Sequence, residues 1–307
     1  MENALIRGCA LVLVVVALPA AAAERARPPE WPRDVLDAFF SDARTKLEGP
    51  RPDYDSPPPS GEAASATGAS NAPPPFAWSN LIDADTLETE IKRLSQSLDQ
   101  SVTTPSAFKS GGYKSARRDF SELAALFAVI AQYDAQARWK DIAAAMRDQF
   151  ARAGFNARLG TDVTYREATD RKADLAALVR GERPPLPKAA AELTDWSQIA
   201  ARSPLMQRIN AAHEERLTRW LADPANFRRQ RSDVRHEAQV LALLAEVIHR
   251  EAFEFWDDET FVDYAIALRQ AATDTAAAAA SDNFAQARDA ANRATAACTD
   301  CHAGYRE

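Results

Sequence analysis

The stretch Asp282 to His302, DNFAQARDAANRATAACTDCH, decides how the rest of the chain is read. Phe284, Ala287, Ala291, Ala294, Cys298 and Cys301 recur at intervals of three and four, the period of one face of an α-helix. Three segments of the same kind precede it. Ser203 to Leu221 carries Met206, Ile209, His213, Leu217 and Trp220 on one face; Ser203-Pro204 reads as an N-cap followed by a proline at the first helical position. Ser232 to Phe255 has Val234, Leu241, Leu244 and Ile248, and Asp258 to Ala280 has Phe261, Tyr264, Leu268 and Ala272. Sparse glycine and abundant alanine favour helix throughout.

A second group of four helical segments lies upstream. Asp83 to Ser101, Tyr113 to Tyr133, Ala137 to Ala153 and Thr161 to Arg180 show the same spacing, with Gly154 read as a C-cap and Thr161 or Asp162 as an N-cap. The two groups read as copies of one unit. Each opens on Trp-Ser, at Trp78 and at Trp196, and each first helix ends in Pro-x-x-Phe and a base, Pro105 to Lys109 and Pro224 to Arg228. Tyr165 and Phe284 open the fourth helices, with Asp170 and Asp289 at the same offset. The expected fold is all-α: two tandem antiparallel four-helix bundles, over 78–181 and 196–307, joined by a linker at 182–195.

Residues 1–23 read as a secretory signal peptide, with Arg7 before the apolar run Ala10 to Leu18 and Ala21-Ala22-Ala23 as the cleavage pattern. The run is too short to span a bilayer, so the mature chain is expected to have no membrane span and to be periplasmic or otherwise exported. Residues 24–77 carry Pro28-Pro29, Pro57-Pro58-Pro59 and Pro73-Pro74-Pro75, a composition that cannot bury a core; one helical pattern, Pro32 to Glu48, interrupts this tether. The net charge of −7 argues against nonspecific nucleic-acid binding.

The chain has three cysteines, and Cys9 leaves with the signal peptide. That leaves Cys298-Thr299-Asp300-Cys301-His302, the Cys-x-x-Cys-His pattern of covalent c-type haem attachment. In a helix the two thiols sit on one face, where they can add to the two vinyl groups of one ring, and His302 supplies an axial imidazole. A zinc site would want two more ligands nearby, and a thioredoxin-like dithiol would want a βαβ pattern. The first copy has Val179, Glu182 and Arg183 at the matching positions and contains no histidine, so one haem c per chain is expected.

Antiparallel packing brings the start of the first helix of the second bundle to the end of its fourth. Met206 is therefore the candidate sixth iron ligand, and core packing is its alternative role. His213, on the same face, is read as a core-edge histidine with ligation as the alternative. Arg208 and Arg306 are candidate partners of the haem propionates. His249, beside Glu246, Glu251 and Glu254, is read as part of a solvated acidic helix end, with cation binding as the alternative.

These features resemble the cytochrome c′ family and its low-spin relatives, four-helix bundles with the haem site near the C-terminal end of the last helix. The resemblance rests on Cys298, Cys301 and His302, followed by Tyr305-Arg306, and covers about residues 196–307. It implies a distal ligand near Met206 in low-spin members and an apolar blocking residue there in five-coordinate ones. The expected function is single-electron transfer rather than enzymatic catalysis. The alternative is binding or sensing of small gases such as NO or CO at a five-coordinate iron. A peroxidase-like activity with His213 as acid–base group is the third reading. The redox partner is not specified by the sequence, and a homodimer is compatible with it.

Overall fold

The computed structural model describes residues 76–187 and 195–306. The signal peptide, nearly all of the tether with the Pro32 to Glu48 pattern, and linker positions 188–194 lie outside the described residues. Among the described residues the chain is all-helical, with no strand. Among these residues no helix is long and apolar enough to cross a membrane.

The first set comprises α1 (Ala84–Ser101), α2 (Tyr113–Gln132), α3 (Ala143–Asn156) and α4 (Asp162–Arg180). In α1 the Asp83 carboxylate accepts from the Thr86 amide at 2.8 Å, which caps the helix, and Leu87, Ile91, Leu94 and Leu98 form its buried stripe. Thr161 caps α4 in a capping box with Thr164. The expected start of α3 at Ala137 is overtaken by Trp139, which takes a left-handed φ of 67° and puts its ring 6.2 Å from that of Phe127. Gly154 does not end α3; it lies inside it, where an added Cβ would stand 3.0 Å from Ser121 Oγ.

The second set comprises α5 (Arg202–Asn210), α6 (Pro224–Val247), α7 (Glu259–Ala280) and α8 (Phe284–Tyr305). Helix α5 starts after Ala201, without the side-chain cap expected from Ser203. It runs on through a π-helical segment, Ala211–Leu217, and a last turn, Thr218–Trp220. Helix α6 begins earlier than its apolar pattern, because Asp223 accepts from the amides of Ala225 and Asn226, both at 2.9 Å, with Pro224 at the first position. It also ends earlier, and left-handed residues at Ala252 and Phe255 turn the chain towards α7.

Pro73–Glu307 form one compact unit, in which α1 and α2 contact α5 and α6. Trp78 and Trp196 meet there with ring centroids 5.8 Å apart. Arg208 of α5 is buried at the same junction. Its Nε donates to Glu122 (2.8 Å), Nη1 to Glu237 (2.8 Å) and Nη2 to Glu90 (2.9 Å). These carboxylates come from α2, α6 and α1, so one guanidinium ties four helices together.

Candidate functional site

A cavity of about 1390 Å³ opens at the C-terminal end of α8. It exceeds the ordinary size of small-ligand pockets in an interior that is otherwise close-packed. Its position follows from the side chains of α7 and α8. At their far end both helices bury alanines, among them Ala272, Ala279, Ala287 and Ala291. Towards the C-terminus of α8, no described side chain fills the space lined by Leu268, Phe261 and Tyr264 of α7.

Cys298, Cys301 and His302 line this cavity from α8, and Met206 and His213 line it from α5. Neither thiol is in a disulfide. Burial pushes the Cys298 thiol up to about 11, with Cys301 and Glu214 acting in the same direction. Burial also raises Cys301, against the pull of Arg202. A redox dithiol needs the opposite shift. Burial lowers the His302 pKa, and Arg306 and Arg202 lower it further, which favours the neutral imidazole that a metal requires.

Tyr305 fixes the end of α8. Its ring lies 5.2 Å from Phe255, 5.4 Å from Phe261 and 6.5 Å from Tyr264. A hydrogen bond links it to Asp258, whose pKa that bond lowers. Phe255 reaches this cluster from its left-handed backbone position, with the Arg202 guanidinium 4.8 Å from its ring centroid.

His213 is buried, and its Nε2 lies 2.8 Å from Thr295 Oγ1. The threonine hydroxyl donates to the Ala291 carbonyl, so it accepts from Nε2–H, and Nδ1 is the bare nitrogen with no hydrogen-bond partner. Burial lowers the pKa of this ring, with Glu214 opposing.

The Arg208 assignment is corrected by this geometry. Arg208 does not line the cavity, and its guanidinium is engaged by three carboxylates on the other side of α5. Arg306 does line it, as does Arg202, which the sequence reading passed over. Arg202 lies four residues before Met206, and that helical spacing was the available signal. The acidic end at His249 is also revised. Glu246 is buried and paired with His249 (3.1 Å), Arg250 (2.6 Å) and Arg269. Among the described residues one group with metal-ligand geometry occurs, Glu90, His236 and Glu237. Its oxygens are already taken by His236, Arg208 and Arg216.

The matching region of the first set is closed. Arg138 there donates to Glu88 (2.6 Å) and to the Val179 carbonyl (3.3 Å), and stacks on Trp139 at 4.6 Å. Phe127 and Phe150, with centroids 5.5 Å apart, fill the core beneath.

Comparisons of the chain with protein-family models, with curated proteins and with solved structures found no match.

Proposed function

We propose that this chain is an exported c-type cytochrome of cytochrome c′-like architecture: two four-helix bundles, with one covalent haem on the second. The observation that carries the proposal is that Cys298, Cys301, His302 and Met206 all line the same cavity, from two different helices. The donor set fits the group. Two protonated thiols are available for thioether formation, a neutral imidazole for iron, and a soft thioether for the other face. The walls fit as well, being aromatic and aliphatic at Phe261, Tyr264 and Leu268, with Arg202 and Arg306 for carboxylates.

A haem held in this way supplies a one-electron couple. The chain's own residues would hold and tune it. Cys298 and Cys301 would attach the ring to α8, His302 and Met206 would offer nitrogen and sulfur donors to its iron, and the aromatic cluster around Tyr305 would limit movement of that helix end. Met/His ligation raises the potential, which suits electron transfer. No enzymatic step is assigned.

Purified oxidised protein should show the far-red absorption band of methionine-to-iron(III) ligation, and Met206→Ala should abolish it. A high-spin spectrum with ready binding of CO or NO in the unmutated protein would instead favour gas binding at a five-coordinate iron, with Met206 packed against the open face.

A further inference from the structure

Met206 and Arg208 stand two residues apart on α5, about 200° around the helix axis. One side chain lines the cavity and the other is buried at the junction with the first helix set. The helix between them has weak fixings of its own. It spans nine residues, has no side-chain N-cap, and passes into π-helical winding at Ala211. A short helix without a cap holds its position through tertiary contacts.

The strongest polar contact on α5 is the Arg208 guanidinium. Every direction of its fork is engaged, and two of its three carboxylates, Glu90 and Glu122, belong to the first set. Such a fork fixes both rotation about the helix axis and displacement along it, because its planar geometry tolerates little of either. A turn of α5 that relaxed this junction would swing Met206 by the same angle.

We propose that the first helix set is the mount for the sixth-ligand helix, with Arg208 as the positioning residue that holds Met206 within reach of iron. This rests on the Met206 reading above and gives the haem-less half of the chain a function. It also explains why a bundle with a closed core is kept in register with the cavity-bearing one.

The test uses the holoprotein with Arg208→Lys, which keeps the charge but not the fork, and Glu90→Gln, a milder change that removes one charged anchor. In both, the far-red band should fall, the midpoint potential should drop, and affinity of the ferrous protein for CO should rise, by about tenfold in Arg208→Lys. Arg269→Met, which breaks the separate Glu246 pair, serves as a control for destabilisation alone and should leave the band in place. A band present in the unmutated protein and undiminished in both junction variants would overturn the proposal, as would loss of the band in Arg269→Met. Absence of the band from the unmutated haem protein would overturn Met206 ligation and this inference together.

Discussion

Glu90 and Arg208 are 118 residues apart in the chain and bond at 2.9 Å. Trp78 and Trp196 have the same separation in sequence, and their rings also meet. A contact between a position and its own counterpart is what a twofold axis produces in a symmetric dimer. On the repeat read from the sequence both counterparts belong to one chain, and the two contacts are those that a twofold relation between the helix sets would produce. The pair has opposite charges, which makes attractive a contact that would be repulsive between identical side chains.

The junction should therefore behave as a coupled unit. Arg208→Met takes the shared cation from Glu90, Glu122 and Glu237 and is expected to cost about 3–5 kcal/mol, whereas Glu90→Leu leaves Arg208 two carboxylates and should cost less. The double variant should cost less than the sum, since one of the three carboxylates then leaves with the cation, while Glu122 and Glu237 stay behind. Urea denaturation of the four proteins of this cycle measures the coupling. Additive losses would mean that the bond contributes nothing specific.

Glu122 gives the junction a dependence on pH. Burial raises its pKa well above the ordinary 4.5; Arg208 opposes the shift, while Glu90 and Asp119 add to it. As a carboxylate, Glu122 leaves its Oε2 without a donor; once protonated, it can donate to Glu90. A carboxyl with a raised folded pKa contributes stability that is complete below 4.5 and is lost as pH rises through the folded value. Glu122→Gln carries the same hydrogen-bonding pattern without the titration. Its stability relative to the parent should improve by about 1.4 kcal/mol per pH unit above 4.5, until the folded pKa is passed. Melting curves across this range check it, and a pH-independent difference would rule it out.

The helical spacing of Leu87, Ile91, Leu94 and Leu98, and of Ala287, Ala291 and Ala294, made the elements readable, because a stripe at three and four has one stable solution. Their ends were less legible. Asp223-Pro224 starts α6 ahead of its apolar pattern, and left-handed Trp139, Ala252 and Phe255 interrupt helices that their composition would continue. At the site, the shared position of Cys298, Cys301, His302 and Met206 on one cavity was legible because each lies on a known helix face. Arg208 could not, because its role depends on carboxylates from three other helices. A surface arginine and a buried one look alike in sequence. The same holds for Arg138, whose bond to Glu88 helps close the first set.

That closed region leads to a count. The positions matching the motif are Val179, Glu182 and Arg183, and Arg138 and Trp139 pack where an equivalent cavity would open. Pyridine haemochrome analysis against protein concentration should return one haem per chain. Cys298→Ala/Cys301→Ala should return none. A residual covalent haem in that variant, or two in the parent, would refute the assignment.

The last prediction concerns His213 and Thr295. The Thr295 hydroxyl donates to Ala291 and accepts from His213 Nε2–H at 2.8 Å, so it satisfies both groups. Thr295→Val keeps the shape but leaves Nε2–H buried without an acceptor, an expected cost of about 1–3 kcal/mol. His213→Leu removes Nε2 and the already unpartnered Nδ1 together, while the threonine keeps its bond to Ala291. Its expected cost is below about 1 kcal/mol, because no polar group is newly stranded. In the double variant the valine should become nearly neutral, since the donor it abandoned is gone. Denaturant titration of the three holoproteins decides the matter. If His213→Leu costs as much as Thr295→Val, the ring makes a further interaction inside the cavity, and its bare Nδ1 is the atom to examine.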